Sequence, residues 1–476
     1  MIPFNTTLKK SSLAAIAALI VLLAFAIVYY KVRVFFLDSA YVCTNILIHH
    51  GLSIQEHRYG SFITQLVPLI GIKLHLSIKY IVIAYTVSFN VFYLGVILLL
   101  VFRFKQYALS ILMALYYVLL FSDAYYWTNN EVFQGMAWMF LFLGITVSMG
   151  YRKINALLLT IPFLVLGFLA VFTHFLVIMP LIFLWIYLIW DKSNWPFSKR
   201  NTILLSNMLL IIIAIKYWFS FNQTYDGEKL HTVANFSVGH IWSSFSAPVI
   251  TEFLQRCVTN YWIAVIVFTA GIISLFKDGK YLLAAFTLVS VLGYVTIMAI
   301  TYGDMGSILL FHIESEWTGL GIIMACPFVF SLLPKLKPTP AIVLLAAIFI
   351  IRFAYIGMSA SKFVQRENLL ENVLARMREK NISKLILINN SQLEQQLILS
   401  WAVPDETLLL SGSEGDIPQK TFTIRNDEKA VLAGLPDRRS IISCFEIMPP
   451  EWFDPAIFQI DTTHVYTVMQ YNELFK

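Results

Sequence analysis

Apolar residues in this chain come in long runs, and polar residues gather in the gaps between them. About 20 predominantly apolar residues are enough for a helix to cross a bilayer. The pattern predicts eleven such spans, at 12–30, 79–102, 106–121, 132–149, 155–173, 175–190, 202–220, 260–276, 281–300, 318–333 and 340–357. Only Thr173 and His174 part the fifth from the sixth. Beyond residue 357 the pattern changes. Phe363, Leu370, Val373, Leu374 and Met377 form a helical stripe. SKLILI then reads as a strand, QLEQQLILSWA as a helix, and ETLLLS and KTFTIR as strands. The cluster SGSEGDIP (411–418) reads as a turn, without the lysine and helix-opening pattern of a phosphate loop. Alternating helix and strand predict a compact α/β unit.

The expected fold is a polytopic α-helical membrane protein of about eleven transmembrane helices, followed by a small C-terminal α/β soluble domain. Residues 1–357 form the membrane part, with an outer first loop at 34–76, and residues 358–476 form the domain.

Composition agrees with this division. The chain is 58% apolar and 13% charged, about half the charge of an ordinary soluble domain at roughly 25%. Residues 1–357 hold 22 Lys/Arg against 12 Asp/Glu, and the remainder holds 12 against 16, so a net charge of +10 is followed by −4. The basic excess sits in alternate short loops: Arg103 and Lys105, Arg152 and Lys153, Lys192 with Lys199 and Arg200, Lys277 with Lys280, and Lys335 with Lys337. The opposite loops at 122–131, 173–174 and 301–317 have no Lys or Arg. By the positive-inside rule the N-terminus is cytoplasmic and the C-terminal region lies outside. Lys9 and Lys10 precede an apolar run without a small-residue cleavage site, which predicts a retained anchor. No basic, aromatic-interleaved patch suggests nucleic acid. Cys43, Cys257, Cys326 and Cys444 are too scattered for a thiolate metal site. Aromatic spans fit a bacterial inner membrane with a periplasmic C-terminus. Asn222, Asn235 and Asn381 in N-x-S/T triplets keep a eukaryotic endoplasmic-reticulum home open.

The candidate chemistry gathers on the outer side. The stretch VFFLDSAYVCTNILIHHGLSIQEHRYGSFITQLVPLIGIKLH follows the first span and holds Asp38, His49, His50, Glu56, His57 and Arg58 within 21 residues. It is too polar to span lipid and too apolar for a solvated loop, which predicts two short helices on the membrane face. The first starts at Asp38 and puts Asp38, Asn45 and His49 on one stripe; the second runs from Gly60 to Leu74. SDAYYWTNNEVFQGM follows the third span, with Glu131 and Gln134 on one helix face. His174 marks the next outer turn, the 221–260 loop carries Arg256, and YGDMGSILLFHIESEW brings Asp304, His312, Glu314 and Glu316. Ionisable groups near bilayer depth are costly, so Glu131 and His174 point to function. Capping and interfacial solvation are the preferred account of Asp123 and Asp304. Lys216 and Arg352 lie close enough to span ends to snorkel.

A cytoplasmic N-terminus, about eleven spans and an acidic residue just past the first span resemble the plan of the GT-C glycosyltransferases. FFLDSAY looks like that family's acidic start of the first outer loop, and YGSFITQLVPLI is similar to its later aromatic-to-proline segment. Two departures stand out. Asp38 is followed by Ser39 instead of a second acid, and the late segment FHIESEW is acidic where the family carries an arginine for lipid phosphate. The resemblance implies transfer of a sugar from a polyprenyl-phosphate donor to a glycan, lipid or protein acceptor on the outer face. It implies Asp38 as general base and Arg58 with His57 as phosphate contacts, Arg256 being a further cation on that side. Glu131, His174, Glu314 and Glu316 are implied to orient the sugar or hold a divalent metal ion. Two other classes stay open: a polysaccharide polymerase or ligase using undecaprenyl-linked glycans, favoured by Arg256 and the 221–260 loop, and a non-enzymatic flippase or scaffold.

Overall fold

The computed structural model describes residues 5–475 except 153–155, 192–193, 223–224, 235–244, 304–309, 389–390, 427–431 and 433. Lys153, Lys192, Asn235 and Asp304 therefore lie outside the described residues. The chain is a polytopic helical protein. Among the described residues, seven helices are long and apolar enough to cross a membrane: Thr6–Val28, Ile78–Arg103, Glu131–Tyr151, Lys199–Phe221, Tyr281–Tyr302, Leu310–Lys335 and Pro338–Glu379. Pro248–Thr259 and Trp262–Lys277 form a further apolar pair, bent by 83°. Three shorter apolar helices, Tyr107–Leu119, Leu158–Thr173 and Phe175–Trp190, lie where the sequence predicts spans. Thirteen residues in Tyr107–Leu119 rise only about 20 Å at 1.5 Å per residue. That helix is buried along its whole length by its neighbours.

The last long helix has 42 residues and begins with Pro338 in its first turn, where a missing N–H costs nothing. It continues unbroken through the expected boundary at 357/358. The boundary follows where lipid-like composition stops, whereas nothing in the local sequence stops the helix. Its second half carries the stripe of Phe363, Leu370, Val373, Leu374 and Met377, all buried. That helix contacts the C-terminal helices Ser391–Leu397, Val403–Glu414 and Tyr471–Leu474, and the same region holds three parallel strands in the order β2-β1-β5, where β1 is Lys384–Ile388, β2 Thr421–Arg425 and β5 Thr467–Gln470. A two-stranded ladder of β3 (Ile441–Ile442) and β4 (Ile447–Met448) completes the region.

ETLLLS, expected as a strand, lies in the helix Val403–Glu414. Pro404 in the first turn, Asp405 and Glu406 beside it, and left-handed Gly415 at the end are helix start and stop signals. They outweigh the short apolar run, which is ambiguous because Leu408, Leu409 and Leu410 are all buried. The preceding helix stops at Leu397, short of the expected SWA. Lys216 and Arg352 do not snorkel; both are wholly buried. Arg352 is satisfied by the carbonyls of Val118, Asn260 and Phe121 and by Ser122 Oγ.

The first loop forms helices at Asp38–His49 and Phe62–Lys73, close to the expected limits. The former is not laid open on a surface. It contacts the Ile78–Leu98 and Val403–Glu414 helices, and only Asp38, Tyr41, Asn45 and His49 escape burial along it. Those four positions make one stripe at helical spacing. One apolar core runs continuously from the long helices into the C-terminal region.

Candidate active site

Asp38 and Tyr41, the first two residues of the open stripe of the Asp38–His49 helix, border a cavity of about 660 Å³. Asp38, Arg58, Glu131, His174 and Glu316, drawn from four separate stretches of sequence, all line it. Leu399, Trp401 and Phe445 of the C-terminal region form part of its wall.

Asp38 opens its helix, and the turn before it is held from outside. Leu37 has φ of 48°, a left-handed conformation that a branched side chain adopts only under constraint. Its N–H donates to Glu406 Oε1 at 2.8 Å, and Arg366 binds Glu406 Oε2 at 2.6 Å and the Phe35 carbonyl at 3.2 Å. Trp127 Nε1 donates to Asp38 Oδ2 at 2.7 Å. Burial pushes the Asp38 carboxyl up to about 7, and the charge of Glu131 adds to this; the Trp127 bond and Arg58 pull it down. A carboxyl balanced there can take a proton near neutrality.

Trp127 is fixed by the loop that carries it. Glu314 accepts the N–H groups of Ser122 and Ala124 at 2.9 and 2.8 Å, and Tyr261 donates its hydroxyl to the same carboxylate. Buried Arg33 donates to the Tyr125 carbonyl at 2.8 Å and to Asn90 at 2.9 Å. Asn129 N–H donates to Ser39 Oγ at 3.1 Å, tying this loop to the Asp38 helix. Asn130 then caps the helix that begins at Glu131, its side chain accepting from Val132 N–H at 2.9 Å.

Arg58 bridges two carboxylates, Glu131 at 3.0 Å and Asp226 at 3.1 Å. The backbone there approaches a neighbouring helix closely. A Cβ on Gly60 would collide with Thr173 Oγ1 and stand 2.8 Å from the Leu169 carbonyl. That approach sets Arg58 near His174, the residue after Thr173. Nδ1 of His174 accepts the Leu176 N–H at 3.2 Å, so the ring proton sits on Nε2 and the imidazole offers a donor. Burial, with Arg58 and Lys229 adding to it, holds His174 well below the usual imidazole range, so the ring is neutral.

The far wall holds His312, stacked on Trp127 at 5.2 Å, together with Glu316 and Lys229. Lys229 sits over the Tyr225 ring at 3.9 Å. Among the described residues no carboxylate reaches within 4.0 Å of its ammonium. Among the described residues, four buried polar atoms on the lining residues have no hydrogen-bond partner: Glu56 Oε2, His312 Nδ1, Glu316 Oε2 and Arg58 Nε. The first three are acceptors, or become so in the right tautomer, and Arg58 Nε is a donor, so the wall suits a ligand rich in hydroxyls, which both donate and accept.

The other expected site residues lie elsewhere. His57, turned outward by a left-handed backbone (φ 53°), is exposed and pairs with Tyr59 at 2.9 Å. Arg256 is engaged by Glu252 one helical turn away, at 2.7 Å. Glu314 is spent on the 122–126 loop, as described. Asp123 pairs with Lys362. Among the described residues no group of three His, Cys, Asp or Glu side chains could hold a metal ion. The divalent ion implied by the sequence resemblance thus has no ligand set among them. Sequence reasoning missed Lys229, Tyr41, Trp401 and Phe445 as lining residues. Lys229 carried a signal, a lysine in the otherwise sparsely basic outer loops; the two aromatic residues of the C-terminal region carried none. No family model, curated protein or solved structure matches this chain.

Proposed function

We propose that this chain is an integral membrane glycosyltransferase of the GT-C kind. It moves a sugar from a polyprenyl-phosphate donor to an acceptor on the outer face of a bacterial inner membrane. The seven long helices and the bent pair support up to eight crossings, and this reading takes the three shorter apolar helices as the remaining three. The N-terminus is then cytoplasmic, and the C-terminal region is a periplasmic unit that closes the cavity.

The observation that carries the reading is one half-buried carboxylate facing a hydroxyl-hungry cavity. Asp38, near neutrality in its proton affinity, shares that cavity with three unpartnered acceptors and two cations. The acceptor hydroxyl attacks the anomeric carbon while Asp38 takes its proton. The bond from that carbon to the phosphate oxygen breaks, and the phosphate leaves with the electron pair. Lys229, which has no carboxylate partner among the described residues, meets the phosphate charge, and Arg58 supports it from its bridge between Glu131 and Asp226. This moves the leading phosphate contact from Arg58 and His57 to Lys229. Glu131, Glu316 and the Nε2–H of His174 orient sugar hydroxyls. No step is routed through a metal ion.

The test uses membranes containing the full chain and radiolabelled undecaprenyl-phosphate hexoses. Transfer of label is expected, falling by about 10²–10⁴-fold in Asp38→Asn, the typical worth of a general base. Unimpaired turnover in that variant removes Asp38 from the role.

A further inference from the structure

The cavity has an aromatic side that the transfer reading leaves unused. Tyr41, Trp401 and Phe445 line it together. Trp401 and Phe445 stack at 5.3 Å and 26°, while Tyr41 meets Phe445 edge-on at 5.3 Å and Trp401 at 6.2 Å. Phe445 is 71% exposed, a poor use of a large apolar ring if folding were its only task. The rings come from three separate places: the Asp38–His49 helix, the turn after the Ser391–Leu397 helix, and the turn between β3 and β4.

We infer that Tyr41, Trp401 and Phe445 form a saccharide subsite that seats the terminal sugar of a glycan acceptor. The inference rests on the transfer reading and names the acceptor class that reading leaves open. Two observations favour a saccharide over a hydrocarbon chain. Tyr41 lies three residues after Asp38 on the same helix face, about 4.5 Å along the axis, roughly the breadth of one pyranose ring. A sugar lying on the rings therefore brings a ring hydroxyl to the Asp38 carboxylate. Gln55 and Glu56 line the same cavity as the rings, and among the described residues buried Glu56 Oε2 lacks a donor. A hydrocarbon would leave that oxygen unsatisfied; a hydroxyl satisfies it. A pyranose offers both features at once, an apolar C–H face for the rings and hydroxyls at its edge. The C-terminal region is thereby a specificity element, since two of the three rings belong to it.

The experiment measures binding apart from turnover. Full-length Asp38→Asn protein in detergent micelles is titrated with linear oligomers of glucose, galactose, mannose and N-acetylglucosamine, read by saturation-transfer NMR. At least one series is expected to bind, with saturation strongest on ring C–H protons of the terminal sugar. Trp401→Ala and Phe445→Ala are each expected to weaken binding about tenfold, the scale of one lost aromatic contact. Trp401→Phe is expected to restore most of the loss, which separates stacking from misfolding. No binding by any series, or binding indifferent to both ring deletions, overturns the inference. So does a result in which vesicles doped with undecaprenyl phosphate, and not a saccharide, lose binding in the ring variants. Transfer assays separate the two levels. Sugar transfer with an acceptor KM untouched by the ring variants sinks the subsite and spares the enzyme. Saccharide binding on the rings without transfer from any donor sinks the enzyme and spares the subsite.

Discussion

Trp127 Nε1 donates to Asp38 Oδ2 at 2.7 Å, and this bond restrains a carboxyl that burial and Glu131 push up to about 7. Trp127→Phe leaves an aromatic ring against His312 and deletes the donor. A hydrogen bond to a charged group is worth about 1.5–3 kcal/mol, and 1.36 kcal/mol is one pH unit. The acidic limb of the transfer rate is expected to move about one unit or more towards alkaline pH. The pH dependence of kcat/KM measures this, and an unmoved limb means another group titrates there.

Glu131→Gln should act with the opposite sign. The Glu131 charge raises the Asp38 carboxyl, and Arg58, freed from one of its two partners, lowers it further. The same limb is expected to move towards acid, by up to about one unit for a charge at this range. The comparison of the two variants is more telling than either alone. Opposite displacements identify Asp38 as the group in the limb, and displacements of like sign reject it.

A readout without substrate follows from the same carboxyl. Asp38 stays protonated in the folded chain to about 7, against 3.8 in the unfolded chain. Between those values the folded state binds more protons, so this contribution to stability is complete below about pH 4 and lost as pH rises towards 7. Asp38→Asn stays neutral throughout. Its unfolding temperature is expected to exceed that of the parent most at pH 7–8, with the difference closing towards pH 4. Thermal unfolding in micelles across that range checks the trend, and a pH-independent difference contradicts it.

Gly60 is where the first loop touches the helix ending at Thr173, and no side chain fits between them. Its carbonyl also accepts the Trp138 indole N–H at 3.0 Å. Gly60→Ala must push the two apart, at a cost of about 1–3 kcal/mol for overpacking. The expected result is a lower unfolding temperature together with a raised donor KM, because Arg58 moves away from His174. Gly51→Ala is the control: its added Cβ meets only the His49 carbonyl, at 3.6 Å.

How much of this was legible beforehand depends on how local each cause is. The helix from Asp38 and its stripe follow from spacing alone, as does the position of Glu131 at a helix start. His174 stands out because a lone imidazole between two apolar runs is conspicuous. Arg256 and His57 could not be sorted from Arg58 by type. Whether a cation faces a cavity turned on a neighbour at i+4 in one case and on a left-handed backbone in the other. Trp401 and Phe445 were invisible because their place is tertiary: a region some 360 residues downstream folds back onto the first loop. ETLLLS misled for a related reason, since a helix buried on all sides has no amphipathic period to read.

Arg366 and Glu406 carry the final prediction, because they hold the Asp38 helix from the C-terminal region. Both are buried, at 2% and 0% exposure, and they meet at 2.6 Å. Removing one partner of a buried pair costs about 3–5 kcal/mol, since the other charge is left without an answer. A buried pair can often be exchanged for apolar residues without loss, but this one has further duties. Arg366 also satisfies the carbonyls of Phe35, Leu397 and Leu399, and Glu406 holds the N–H of strained Leu37. The double change Arg366→Met with Glu406→Leu orphans those backbone groups, so it is expected to remain destabilised instead of recovering. Glu406→Gln keeps the acceptor for Leu37 and should lose less stability than Glu406→Leu. If the pair acts by setting Asp38, then Glu406→Leu also moves the pH limb of transfer, while a merely stabilising pair lowers the unfolding temperature and leaves that limb in place.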